Sequence, residues 1–300
     1  MKKYAIVLFA LISVLSAKAQ KDSLKKIRFS GIQADIGTHY FPDYKQLSRE
    51  DYQKFVKNNK LLYADVSGYK VQNGYYYTSY EGLVGLRFYA TIQDSRKLKK
   101  EVHMGLRYGQ ESNIGLSLNK STHDTVAVYT SGNNETYYKI RTTDNNYNFG
   151  ISSQKLILPL GFNFTTNKDK HIWISYGVEV SPFINFKYQF QSYYSTSYIY
   201  TLVKQGDSLM SPENLTTNNS RFNTSYYGGS ERTKLNGVGY GAYLSLPFAV
   251  YLHPFLKTRF LKHINLMASI TPGLVYSYSK FYGSTTAGGA NFAVGVRYNW

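Results

Sequence analysis

The chain contains no cysteine, which excludes both a disulfide framework and a lipid anchor on an N-terminal cysteine. Stability must then come from packing and strand pairing. Beyond the first residues no stretch strings together the ~18 apolar residues of a membrane helix, so helical spans are excluded as well. Carboxylates are scarce, 18 against 35 Lys and Arg, for a formal charge of +17. The six histidines lack any His-Glu-x-x-His spacing, so no metal and no cofactor is expected. There is no Gly-x-Ser-x-Gly elbow and no P-loop. The mean hydropathy of −0.37 suits a soluble protein, but such an average conceals apolar and polar residues that alternate one by one.

What is present begins with a leader. Lys2 and Lys3 precede the apolar run Tyr4 to Leu15, and Ala17-Lys18-Ala19 offers small residues where a signal peptidase reads. Cleavage is expected after Ala19; a retained anchor is the alternative, disfavoured because the run is short. Losing Lys2, Lys3 and Lys18 takes the charge from +17 to +14. For an exported basic chain, acidic lipopolysaccharide and phospholipid head groups are nearer polyanions than nucleic acid, and no nucleic-acid partner is expected. Aromatics make up 17% of the chain, with 31 Tyr. That is more than a core needs, and it fits the aromatic girdles of a membrane barrel.

The last stretch, Ala290 to Trp300, separates Phe292, Val294, Val296, Tyr298 and Trp300 from Asn291, Ala293, Gly295, Arg297 and Asn299 by the pleat's period of two. Seven earlier stretches alternate likewise: 29–41, 80–92, 102–118, one ending at Phe164, 172–190, 238–252 and 264–278. They predict eight strands, although ten remain open. An even count returns both termini to one side. The connections 93–101, 165–170 and 253–263 are short and basic and are expected in the periplasm. Those over 42–77, 119–150 and 191–234 are long and are expected at the cell surface. Residues 125–130 and 136–141 predict a hairpin that lengthens strands three and four. Residues 48–60 predict a short helix, with Ser48 as N-cap and Glu50 and Asp51 in its first turn. The final loop is expected over 283–289.

A soluble sandwich or lipocalin-like barrel also alternates, but turns its apolar face inward. Here the polar face mixes glycine with Asp35, Glu81, Arg87, Arg107, Glu111, Glu179 and Arg297. Large charges spaced by glycines predict a narrow lumen whose seven ionic groups contact one another or ordered water, a plug rather than a pore. The fold class expected is all-β: a closed antiparallel transmembrane barrel of one domain, residues 20–300.

In leader, strand pattern, glycine-spaced inward charges and terminal aromatic, the chain resembles small bacterial outer-membrane β-barrel proteins of OmpA or OmpX-like architecture. The Tyr-rich strands and Leu156-Ile157-Leu158-Pro159-Leu160-Gly161-Phe162 are similar to porin-family, PorT-like barrels of Bacteroidota type. The resemblance implies an integral outer-membrane location. It also implies that Phe292, Val294, Val296, Tyr298 and Trp300 form the C-terminal signal read by the barrel-assembly machinery. Asp124-Thr125-Val126 and Asp207-Ser208-Leu209 resemble O-glycosylation sites of that group.

For function, Tyr193, Tyr194, Tyr198, Tyr200, Tyr226 and Tyr227 are candidates for binding a protein or glycan from a surface loop. The basic residues of the first loop, Lys45 to Lys70, either are solvated or meet lipopolysaccharide phosphate. His39, Asp35 and Glu81 raise a rim-sited hydrolase or acyltransferase. Asp35 and His39 lie ~13 Å apart along a strand, too far to hydrogen-bond, so no catalytic residue is assigned and no enzyme activity is expected. A structural or surface-interaction role is the first expectation, and a narrow substrate-specific pore or secretion-machinery component the alternative.

Overall fold

A computed structural model describes residues 27–41, 47–72, 79–93, 98–166, 171–205, 222–254 and 261–300. The expected leader and the tripeptide Asp207-Ser208-Leu209 lie outside them. The strands are β1 (Arg28–Phe41), β2 (Lys70–Val71), β3 (Ser79–Gln93), β4 (Leu98–Thr130), β5 (Thr136–Ile157), β6 (Leu160–Thr166), β7 (Ile172–Lys204), β8 (Phe222–Leu235), β9 (Gly239–Ser245), β10 (Phe248–Leu252), β11 (Ile264–Ser279) and β12 (Gly283–Asn299). One helix, α1 (Arg49–Phe55), lies between β1 and β2.

Prolines account for two of the breaks that divide eight staves into more strands. Without an N–H, a proline leaves a gap in a ladder; Pro182 and Pro272 are carried inside β7 and β11, but two others sit at breaks. Pro159 separates β5 from β6 and Pro247 separates β9 from β10, while their carbonyls still accept from Gly105 and Gly177 of neighbouring strands (3.0 and 3.1 Å). With β5–β6 and β8–β9–β10 each counted once, and β2 set aside because it pairs only with β4, all pairing is antiparallel and the ring has eight strands. It runs β1, β3, β4, β5–β6, β7, β8–β10, β11, β12 and back to β1, where Ile32 faces Tyr298 and Tyr40 faces Ala290.

The outward set is apolar. Met104, Leu106, Val178, Val180, Leu244, Leu246, Leu274, Val294 and Val296 are all exposed, whereas Asp35, Arg87, Arg107, Glu179 and Arg297 are buried. A soluble β-fold has the opposite polarity; an exposed apolar band of this extent belongs against hydrocarbon. The fold is a transmembrane β-barrel. At the end where the chain enters and leaves, the exposed rings of Phe29 and Trp300 meet at 4.6 Å, part of an aromatic girdle of the kind found at membrane interfaces.

A strand crossing a bilayer obliquely needs about 9–11 residues, yet β4 and β7 each run for 33. The surplus forms a four-stranded sheet, β4-β5-β7-β8, standing above the ring at the end with the long connections. The predicted hairpin is its tip, turning at Ser131–Glu135. Most of the two long loops expected over 119–150 and 191–234 is therefore paired strand among the described residues, and 283–289 is the start of β12. These segments are polar, and Asn, Thr and Tyr read as loop signals until pairing with a neighbour satisfies their backbone.

Candidate functional site

The lumen holds ionic groups at three levels. At the level of the membrane band, Asp35 on β1 accepts from Arg87 Nη1 on β3 (2.8 Å) and Arg107 Nη2 on β4 (2.9 Å). Arg87 also reaches Glu179 Oε2 on β7 at 3.2 Å, and His103 Nε2 lies 2.9 Å from the same oxygen. Two carboxylates, two guanidiniums and an imidazole thus span the bore. Nearer the chain termini, Arg297 grips both oxygens of Glu101 (2.9 and 3.0 Å), and both residues are 0% exposed. Its guanidinium lies over the Tyr89 ring, 3.8 Å from the centroid. Alongside, Trp173 and Tyr251 stack at 3.7 Å with planes 2° apart, and Gln33 receives hydrogen bonds from both Tyr89 and Tyr251. Toward the other end, Lys155 lies 3.5 Å from Glu111 and donates to the Tyr243 hydroxyl at 2.8 Å.

Glycines make room for this packing. An added Cβ at Gly85 would sit 2.5 Å from Cγ of Arg107, so the guanidinium reaches Asp35 only because its neighbour on β3 has no side chain. Cavities of about 20 Å³, bounded by His39, Arg107, Glu179 and Tyr243, and of about 10 Å³, beside Glu111 and Tyr188, remain. A single water needs roughly 10–15 Å³.

Above the charges the filling changes character. Residues 47–72 fold over the mouth of the bore, where Leu47, Tyr52, Val56 and Leu62 join Leu116, Leu118, Phe149, Phe190, Leu235 and Phe281 in one buried cluster. Helix α1 starts where predicted, with Ser48 as N-cap and a reciprocal capping box with Asp51, but it lasts seven residues rather than extending to Lys60. Its continuation is held by other means: Arg49 donates to the carbonyls of Leu62 and Ala64, Asn59 Oδ1 accepts from the Leu62 amide, and Glu231 on β8 accepts from the Lys60 amide at 2.7 Å. Gly115, in a β4 bulge, admits Tyr52, whose hydroxyl would lie 2.3 Å from a Cβ there. That hydroxyl is buried with no hydrogen-bond partner among the described residues.

Of the seven charges expected to meet, Asp35, Arg87, Arg107 and Glu179 do. Arg297 and Glu111 do not join them, because each pairs with a partner missing from that set, Glu101 and Lys155. Glu101 falls at the end of the connection expected over 93–101, but β4 begins at Leu98 and carries it inside; the alternation His103, Gly105, Arg107 extends back to it by one further step of two. Glu81 pairs through its backbone with His39 and Glu111, and its side chain lies outside the described residues. Phe292, Val294, Val296 and Tyr298 share the outward face of β12, and Trp300 follows it as the exposed last residue. No group of three or more His, Asp or Glu suited to a metal occurs among the described residues.

The tyrosine candidates are on strands, not on a loop. Tyr194, Tyr198 and Tyr200 share the inner face of the upright sheet on β7. There Tyr147 meets Tyr194 at 4.7 Å and Tyr69 at 5.3 Å, Arg141 lies over Tyr198 at 5.9 Å, and Lys139 over Tyr200 at 5.1 Å. Tyr193 faces the opposite side and donates to Gln191. Tyr226 and Tyr227 pair with Thr196 and Ser195 through the backbone, and their side chains lie outside the described residues.

No family model and no curated protein matches the chain. Solved structures with similarity to it include the attachment invasion locus protein Ail of Yersinia pestis, determined with the heparin analogue sucrose octasulfate. That match has 10% identity, covers 91% of this chain and 99% of the other, and has a TM-score of 0.25. The translocator domain of the autotransporter NalP from Neisseria meningitidis matches at 8% identity, covering 99% and 96%, with a TM-score of 0.20. OmpT of Vibrio cholerae matches at 8% identity, covering 91% and 97%, at 0.14. With scores this low, the transmembrane barrel rests on the strand pairing and outward apolar band of the chain itself.

Proposed function

We propose that this chain is an integral outer-membrane protein with a closed bore, and that it works by binding a partner on the sheet that stands above the membrane rather than by conducting or catalysing. The supporting observation is the stacking of two unlike fillings in one lumen, ionic across the membrane band and apolar at the mouth. Cavities of about 20 and 10 Å³ are too small for a solute. The paired termini fit a periplasmic end, with β12 presenting its outward face to the barrel-assembly machinery, and the upright sheet then stands outside the cell. Its inner face, with cations set over tyrosine rings, suits a protein or glycan partner that carries acidic groups.

Planar-bilayer recording of the purified full chain tests this reading against a pore. Wild type should be silent, and so should the Tyr198→Ala/Tyr200→Ala variant. Steady single-channel currents from wild type would replace the binding role with transport.

A further inference from the structure

On one side of the barrel the outward face changes from apolar to cationic within four residues, from Val238 to Lys234. Down the β8–β9 stave the outward positions read Arg232, Lys234, Asn236, Val238, Tyr240 and, past Ala242, Leu244, while the inward positions Glu231, Thr233 and Leu235 contact the cap over the mouth or its apolar cluster. Arg232 and Lys234 are opposite Gln191 and Gln189 of β7, and side chains two apart on a strand lie roughly 7 Å from each other. Two residues before Gln189, Lys187 takes φ +51°, a conformation non-glycine residues rarely adopt. This bulge leaves Lys187 exposed beside the Phe186 ring, 5.9 Å from its centroid, while Tyr188 stays inside. Lys280 completes the group: its Cε would lie 3.1 Å from a Cβ at Gly237. All four cations are exposed, and none forms an ion pair with a carboxylate among the described residues. Two first-loop cations differ: Lys54 pairs with Asp51, and Arg49 is spent on the carbonyls of the cap.

We infer that Lys187, Arg232, Lys234 and Lys280 form a binding site for the phosphates of a multiply phosphorylated lipid head group in the outer leaflet. The apolar residues Tyr240 and Leu244 beneath them put the acyl chains of the same lipid against the barrel wall. Four unopposed positive charges at the edge of the hydrocarbon band favour a head group with at least two phosphates over a monoanionic lipid. A free phosphate would lack the contact with the apolar wall. The inference rests on the outer-membrane reading given above and adds to it a location and a ligand class.

The test places the full-length protein in nanodiscs of neutral phosphatidylcholine doped with lipid A, which has two phosphates, or with phosphatidylglycerol, and reads retained lipid by native mass spectrometry. Wild type should keep lipid A at least about ten-fold better than the Lys187→Gln/Arg232→Gln/Lys234→Gln/Lys280→Gln variant, and should not enrich phosphatidylglycerol. Equal lipid A retention in the two proteins overturns the site, as does equal retention of the two lipids by wild type. If the variant gives no heat-modifiable band, a salt titration of wild type decides. Retention must fall as ionic strength screens the charges, and salt-independent retention overturns the inference. Failure of wild type itself to enter nanodiscs would instead count against the outer-membrane reading.

Discussion

The lower lumen and the mouth are filled in opposite ways. In the lower lumen the strands themselves supply the filling, and each guanidinium has a carboxylate from a different strand: Arg107 on β4 with Asp35 on β1, and Arg297 on β12 with Glu101 on β4. At the mouth the filling is a connection, residues 47–72, whose apolar side chains rest on an apolar patch of wall. Buried ion pairs add little net stability, but they are directional, and a slipped register would strand charges in hydrocarbon. Apolar contacts stabilise without fixing a register. The ionic part therefore specifies how the ring is assembled, and the apolar part allows a separate segment to be seated on the finished ring.

The sharpest way to break this contrast is at Arg297. Arg297→Ala leaves the Glu101 carboxylate buried without its guanidinium, which should destabilise the whole barrel by about 3–5 kcal/mol. Urea unfolding in detergent micelles, followed by loss of the compact electrophoretic form, measures it. The double variant Glu101→Leu/Arg297→Met should recover most of that loss. If single and double variants lose equally, packing on Tyr89 and Trp173, not charge pairing, holds this level together.

A change in the mouth should act locally. Tyr52→Ala removes a ring fully buried against Phe190, 5.2 Å away, a loss of about 3 kcal/mol by analogy with other aromatic truncations. The urea midpoint of the barrel should barely move. A cysteine introduced at buried Leu62, the chain having no other, should become far more reactive to maleimide. Tyr52→Phe should leave labelling slow, because it removes only a buried hydroxyl that has no hydrogen-bond partner among the described residues. If Tyr52→Ala lowers the global midpoint as much as Arg297→Ala, the mouth and the bore are one cooperative unit and the contrast is wrong.

The two regions also differed in how far the sequence revealed them. Period-two alternation over Val102 to Tyr108 or Leu266 to Ile270 is a direct consequence of a wall with lipid on one side, so the staves and the inward charges could be read off. The partners of those charges could not. Which carboxylate faces Arg297 depends on the register between β4 and β12, strands that are not neighbours in the ring, and on Glu101 lying one residue outside the visible pattern. The upright sheet was hidden for another reason. With both faces partly wet, 119–150 and 191–204 have no apolar alternation, and their strand state comes from pairing with each other. The N-cap at Ser48 was legible because it is purely local; that its helix packs over the mouth was not, since Leu47, Val56 and Leu62 show no target until Leu116, Phe149 and Phe190 converge.

The smallest expected effect lies at the edge of the same mouth. Ser48 Oγ accepts from the Asp51 amide at 3.2 Å, and Asp51 Oδ2 accepts from the Ser48 amide at 3.1 Å. The Lys54 ammonium, 2.6 Å from Asp51 Oδ1, and then that Ser48 amide hold the Asp51 carboxyl down at about 2, from an ordinary value of 3.8. A carboxyl depressed in the folded state stabilises it fully above the ordinary value, and that contribution is lost as the pH falls through the folded one. A spin label on Lys57→Cys should therefore report a rigid cap at pH 6 and a looser one between pH 4 and about 2. Ser48→Ala, which weakens the helix start by about 1 kcal/mol, should loosen the label already at pH 6, while Asp51→Asn should flatten the pH response. Because Asp51 is solvent-exposed and its partners are mobile, salt should shrink the pH step, whereas the seating of Tyr52, Val56 and Leu62 beneath it should not respond to salt at all. A cap that stays rigid in all three proteins would mean that the apolar cluster alone seats it.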